Sequence, residues 1–273
     1  MKERNLNDLV DKAVNGDSKS FTELIKSIQD KIYNLSIRML WNPHDAQDAT
    51  QEILLKIVTN LSSFRKECRF STWSYKIAVN YLLTLRKKNA MEKNISFDQF
   101  HDELSHFKSD ISYESNVEQN VLIQELKVSC THAILLCLER DYRVIFILDV
   151  IFKINSTDGA YIMGITPAAF RKRLSRSKKK IADFMKNNCG LMNPENNCNC
   201  KKRLNTALVN KRIHPDNLLF ANRDSIDNSL REMEKLDKLS SVFLSNPYYR
   251  LPREILNDVM NIINSRKFGI LNN

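Results

Sequence analysis

Residues 154–180, INSTDGAYIMGITPAAFRKRLSRSKKK, constrain this chain more than any other stretch. The pattern predicts one helix ending near Met163, a tight turn, and a second helix with a dense basic face. Gly164 suits the left-handed position that ends a helix, because it has no Cβ to clash. Thr166 can cap the second helix, and Pro167 fits its first position, where no N–H is needed. Phe170 and Leu174 stand four apart, as an apolar stripe that would seat the helix. Arg171, Lys172, Arg173, Arg176, Lys178, Lys179 and Lys180 crowd its other faces. A helix-turn-helix that enters a major groove needs this combination. An ordinary helical hairpin with a solvated basic face is the blander alternative, and the charge density weighs against it.

The surrounding composition fits that reading. The 273 residues include only five Gly and six Pro, helix-period patterns dominate, and no long alternating pattern marks a strand, so the expected fold is all-α. The net charge is +10, which favours a polyanionic partner. It is unevenly spread: residues 166–186 hold eight Lys/Arg against one Asp, whereas 96–120 hold six Asp/Glu against one Lys. No run of about 18 apolar residues predicts a membrane span, and MKERNLNDLVDKAVNG has no apolar secretory core. The expected location is the cytoplasm, where thiols stay reduced and clustered cysteines serve as metal ligands or redox sensors more often than as disulfides.

Two helices are expected over 5–41, separated by Asn15-Gly16-Asp17. A third, about 44–60, carries Asp45, Asp48, Gln51 and Glu52 on its outer face. A connector, LSSFRKECRFST, leads to a fourth helix at about 72–89. Residues 90–116 are acidic with weak periodicity and suggest a linker with at most a short helix. Two further helices, 117–138 and 140–152, would support the helix-turn-helix. Residues 187–273 form a separate extension.

Residues 5–186 resemble the sigma-70 family of bacterial RNA polymerase sigma factors, in particular the short extracytoplasmic-function group. The stretches DAQDATQEILLKI (45–57), FRKECRFSTWSYKIAVN (64–80) and ITPAAFRKRLSRSKKKI (165–181) carry the likeness, in this order and with an acidic linker between the second and third. The resemblance implies two small helical domains joined by a linker, plus a small helical extension. Residues 1–90 would be sigma region 2, 91–116 the linker, 117–186 the region 4 helix-turn-helix, and 187–273 the extension. It implies core RNA polymerase and promoter DNA as partners, with an anti-sigma factor or the chain's own tail as regulator. It implies no catalytic residue and no required cofactor; no nucleophile–base pair, phosphate loop or carboxylate dyad stands out.

The implied roles follow the motifs. Asp45, Asp48, Gln51 and Glu52 would meet polymerase. Ser63, Phe64, Arg65, Arg69, Phe70, Trp73, Lys76 and Asn80 would take the −10 element, with aromatic and guanidinium planes able to stack on an unpaired base and cations holding phosphates. Trp73 also suits a core anchor. Ala168, Arg171, Lys172, Ser175 and Arg176 would face the −35 groove, where Arg can bond guanine bidentately, while Arg173 and Lys178 hold phosphates. The likeness departs at Gly159-Ala160, where many relatives carry Glu-Ile or similar. Glycine within a helix costs about 1 kcal/mol relative to alanine and permits close helix crossing. A stand-alone helix-turn-helix regulator is the competing reading, and the 45–80 block, which a repressor has no need of, argues against it.

The extension holds Cys189, Cys198 and Cys200 within twelve turn-rich residues. Three thiolates can share one Zn²⁺, which takes four ligands, and His214 is a possible fourth. The spacing matches no standard finger, so a redox pair, inert cysteines, or a metal or thiol sensor with transcriptional output stay open. The CG…NPxNxCxC pattern resembles one found in a subset of the same sigma factors, whose extensions act on the sigma domains in cis. Ile255, Leu256, Val259, Met260 and Ile263 form an apolar stripe that must be buried against something.

Overall fold

A computed structural model of the chain describes residues 3–85, 95–105, 118–219 and 238–265. Among these, every regular element is helical, as expected. The residues group into two compact units that are not continuous in sequence. Residues 91–94 and 106–116 of the expected linker lie outside the described residues.

The first unit takes residues 1–87, 155–170 and 248–273. It holds α1 (Glu3–Val14), α2 (Ser18–Leu40), α3 (Pro43–Thr59), a 3₁₀ turn (Leu61–Ser63), α4 (Phe70–Thr84), α8 (Ser156–Met163) and α12 (Arg253–Ser265). Local chemistry sets the ends. The Asp17 carboxylate accepts the Ser20 N–H at 3.1 Å and starts α2. Asn42 accepts from the N–H groups of His44 and Asp45, with Pro43 in the first turn of α3. Phe21, Leu24, Ile25, Ile28, Ile32 and Leu35 run down the buried stripe of α2, which packs on α3 and α4, where Ile53, Ile57, Val79 and Leu82 are buried. The other side of α2 is buried as well. The Asn34 side-chain amide donates to the Tyr249 carbonyl at 2.6 Å, and its carbonyl oxygen accepts the Tyr249 N–H at 3.1 Å. Leu251 N–H reaches Asp30 at 3.0 Å, and the buried Arg38 guanidinium bonds Asn34 and stands over the Tyr249 ring. Helix α12 packs on α3, with Val259 and Ile263 fully buried. The apolar stripe expected on this helix is thus satisfied within the unit.

The second unit takes residues 88–154 and 171–247. It holds α5 (Phe97–Ser105), α6 (Gln119–Leu136), α7 (Arg140–Phe146) continuing as a π-helical turn (Ile147–Ile151), most of α9 (Pro167–Asn188), α10 (Cys200–Val209) and α11 (Lys238–Leu244). Val144 to Leu148 are all fully buried, which explains the apolar run of that segment. Arg143 caps the end of α6, donating to the carbonyls of Leu135, Leu136 and Leu138. Phe146 meets Phe243 edge-on at 5.0 Å, and Phe100 stacks on Phe184 at 5.5 Å. Helix α5 is therefore a packed element with Phe100 and Leu104 in the core. The short helix allowed for in the acidic stretch is more than a connector. A second cluster joins Leu122 and Leu126 of α6 to Leu204, Ala207 and Leu208 of α10 and Ile213 after it.

Candidate nucleic-acid interface

The helix-turn-helix forms as its residues dictate. Asn155 caps α8, accepting from the N–H groups of Thr157 and Asp158 at 3.0 and 2.9 Å. Gly164 ends it at φ 63°, and the Thr166 hydroxyl accepts the Ala169 N–H at 3.2 Å to open α9. Gly159 is where the two helices meet: a β-carbon there would come within 2.5 Å of the Phe170 ring, so glycine permits the crossing. On α9, Ala168, Arg171, Lys172, Ser175 and Arg176 are exposed, while Phe170, Leu174, Ser177 and Ile181 are buried. The Ser177 hydroxyl is satisfied by the carbonyls of Tyr142 and Arg173. Three further cations are held by acids: Arg173 by Asp141 at 3.2 Å, Lys178 by Asp149 at 2.9 Å, and Lys180 by Glu139 at 3.8 Å. The basic helix thus has one exposed face of five neighbouring residues and a flank that is ion-paired.

The 63–80 segment divides differently from the expectation. Phe64, Phe70 and Trp73 pack on one another with ring centroids 5.4–5.8 Å apart. Phe64 and Phe70 are buried, Phe70 almost completely, and only Trp73 stays half exposed. In this structure Phe64 and Phe70 offer no face for base stacking; they are the core that shapes the loop. Ser63, Arg65, Arg69 and Asn80 are exposed. Two of the cations already have partners on α8. Arg69 forms an ion pair with Asp158, and the Lys76 ammonium stands 4.2 Å from the centre of the Tyr161 ring.

On α3, Asp45, Asp48 and Glu52 are exposed and Gln51 is half exposed, on one outward face that α12 leaves open. His44 lies 3.3 Å from Asp48, and Lys56 stands over the Tyr81 ring at 5.8 Å. Burial raises the Tyr81 pKa, and the charges of Glu52 and Asp48 raise it further, which places that ring at the edge of the acidic face.

The cysteines and histidine expected to hold a metal are not gathered into one site. Among the described residues no group of three or more His, Cys, Asp or Glu side chains could hold a metal ion, and all six cysteines are free thiols. His214 is exposed. The thiol that does share the neighbourhood of Cys189, Cys198 and Cys200 is Cys130 of α6. Burial raises its pKa to about 12, the Cys200 thiol to about 11, and Cys198 in the same direction. No sequence spacing linked Cys130 to the cluster, because the approach of α6 to α10 is a tertiary event. Asp158 and Tyr161 were also missed as partners of Arg69 and Lys76, and no periodicity signals a helix-to-helix ion pair.

Residues 24–91 match the family model described as Sigma-70 region 2. The ECF RNA polymerase sigma factor SigW of Bacillus subtilis is 30% identical over 173 residues, covering 61% of this chain and 89% of that protein. The RNA polymerase sigma-H factor of Pseudomonas aeruginosa is 28% identical over 177 residues, covering 63% and 90%. The ECF RNA polymerase sigma-E factor of Escherichia coli K12 is 30% identical over 179 residues, covering 63% and 90%.

Proposed function

The chain belongs to the extracytoplasmic-function (ECF) sigma factors of RNA polymerase, and from that premise we propose how its segments divide the work of directing the polymerase to promoters. Residues 1–90 act as region 2 and 117–186 as region 4, with 91–116 between them and 187–273 as an added extension. Asp45, Asp48, Gln51 and Glu52 on α3 meet core polymerase. Arg65, Arg69, Trp73, Lys76 and Asn80, with Ser63, take the opened −10 strand, and the buried pair Phe64 and Phe70 shapes their loop. On α9, Ala168, Arg171, Lys172, Ser175 and Arg176 read the −35 groove, and Arg173 and Lys178 hold its phosphates.

The observation that carries this reading is the exposed face of α9 opposite a fully buried stripe, on a helix whose capped turn matches a groove-entering motif. The chain supplies promoter choice and strand capture, and catalysis belongs to the polymerase. It works in the cytoplasm; no helix among the described residues is long and apolar enough to cross a membrane.

Regulation in cis is favoured by two contacts of the first unit. The stretch around Tyr249 and Leu251 is clasped by Asn34 and Asp30, and α8 holds Arg69 and Lys76 through Asp158 and Tyr161. Arg69 and Lys76 are thus occupied until α8 leaves α4. A separate anti-sigma protein would act on this same equilibrium.

Run-off transcription with core RNA polymerase on a pool of genomic promoters tests the main reading. Specific transcripts that vanish with Asp48→Ala/Glu52→Ala, and separately with Arg171→Ala/Arg176→Ala, are expected. DNA binding with no polymerase association and no transcript would make the chain a free-standing regulator instead.

A further inference from the structure

Residues 65–69 form an arch whose two feet are fixed by packing. Phe64 and Phe70 are buried with ring centroids 5.5 Å apart, so the chain leaves the core and returns to it at nearly one point. Arg65, Lys66, Glu67 and Arg69 are exposed between them. Among the described residues, no main-chain hydrogen bond involves Arg65, Lys66, Glu67 or Cys68, so side chains set the shape of the arch. Lys66 marks its bend. It takes φ 60°, in the left-handed region where the β-carbon of an L residue crowds the following carbonyl oxygen. A lysine stays in that conformation only where its surroundings hold it.

The hold comes from α1. The Lys66 ammonium lies 2.6 and 2.7 Å from the two carboxylate oxygens of Asp11. Leu6, Leu9, Val10 and Ala13 bury one side of α1, which packs on α2 and reaches the 3₁₀ turn and α4. Asp11 is therefore carried on a seated helix beside the foot of the arch. A second tie runs from Arg69 to Asp158, and it is lost when α8 leaves α4. Asp11 and Lys66 both belong to residues 1–90, so their pair remains when α8 departs.

We propose that Asp11 is a positioning residue for capture of the −10 strand: by gripping Lys66 it holds the bend of the 65–69 arch and so fixes where Arg65 and Arg69 meet the unpaired bases. This rests on the reading of residues 63–80 as the −10 segment. Lys66 is then a strut, its charge met by Asp11, and not a phosphate contact. The strut acts through geometry. A fixed arch presents its two arginines to the strand in one arrangement, which separates a fitting base from a poor one, and a loose arch accommodates both. Contacts to phosphate alone carry no such information.

The test uses holoenzyme assembled from the full chain and core RNA polymerase. The probe is a fluorescent single-stranded oligonucleotide carrying the −10 sequence of the strongest run-off transcript, compared with its single-base variants. The readout is the ratio of affinities, because a change in overall charge shifts every affinity alike. Asp11→Ala and Lys66→Ala should each cut that ratio about two- to fivefold, the range open to an exposed ion pair. Lys66→Gly, which accepts positive φ at no steric cost, should keep more of the ratio than Lys66→Ala. Adding Asp11→Ala to Lys66→Gly should change it no further. Asp11 is exposed on its helix and alanine favours helix, so Asp11→Ala should melt no lower than the wild type. An unchanged ratio with tighter binding of every strand makes Asp11 a competitor of phosphate for Lys66 and overturns the proposal. Lys66→Gly falling as far as Lys66→Ala overturns it as well, because the left-handed bend is then not what the pair maintains. A wild-type holoenzyme that shows no preference among the oligonucleotides overturns the −10 reading itself.

Discussion

The Phe170 ring occupies the space where a side chain on residue 159 would begin, coming within 2.5 Å of the β-carbon position. The ring is completely buried, so it has no room to retreat. Gly159→Ala therefore sets two effects against each other. The helix gains about 1 kcal/mol of propensity, and the core is overpacked at about 1–3 kcal/mol. Overpacking should win, and urea denaturation should show a lower midpoint. Pairing Gly159→Ala with Phe170→Leu should recover much of the loss.

Arg69 and Lys76 should bind single-stranded −10 DNA more tightly once α8 lets go of them. An exposed ion pair contributes about 0–1 kcal/mol and a cation–π contact about 0.5–1 kcal/mol at an exposed site. Asp158→Asn combined with Tyr161→Ala should then raise affinity for a fluorescent −10 oligonucleotide several-fold, seen by anisotropy. Unchanged affinity would mean that the α8 contacts do not compete with DNA.

Two α9 residues should fail in different ways. If Arg171 reads a base edge as proposed, Arg171→Ala should cost about 1–3 kcal/mol on the preferred −35 sequence and relax selectivity at one position. Lys178→Ala should weaken binding evenly across sequences and lower the salt slope by about 1. Titrations against a panel of −35 variants at several salt concentrations separate the two.

Asn34 is fully buried and holds both backbone groups of Tyr249. Asn34→Ala leaves those groups without this partner, at about 1–3 kcal/mol. Hydrogen exchange should speed up at residues 248–251 and in α12, and run-off transcription should rise if the clasp restrains the sigma domains. Faster exchange with unchanged transcription would mark the clasp as structural only.

The protein should lose stability in alkali. In the folded chain the Cys130 and Cys200 thiols are pushed up to about 12 and about 11 by burial. The unfolded chain loses these protons at lower pH, so between the two values the folded state binds more protons and unfolding becomes easier as pH rises. The contribution is intact below the unfolded thiol pKa and fades as pH climbs through the folded values. Melting temperatures measured from pH 7 to pH 10 under reducing conditions should fall.

Local signals were legible in the sequence because they are local chemistry. Gly164, Thr166 and Pro167 fix the turn through φ, a hydroxyl and a missing N–H, and each acts within four residues. The stripe from Phe21 to Leu35 announced α2 by its period alone. Phe97, Phe100 and Leu104 carried a similar signal for α5, obscured by the acids around them. What escaped depends on distant chain meeting distant chain. Nothing near Phe64 or Phe70 distinguishes an aromatic that stacks on a base from one that fills a core; only the packing on Trp73 decides it. Cys130 lies in an ordinary helical pattern, and its neighbours are set by how α10 folds back on α6.

Asp158 gives Arg69 an anionic partner of its own before any phosphate arrives. A promoter must therefore outcompete a carboxylate already in place, and ligands act only through their differential affinity for two states. Weakly matched DNA, offering little beyond its charge, would leave the pair intact. A strand that supplies further contacts elsewhere displaces it more readily. One exposed ion pair, worth about 0–1 kcal/mol, thus lowers affinity by at most about fivefold and by the same factor for every sequence.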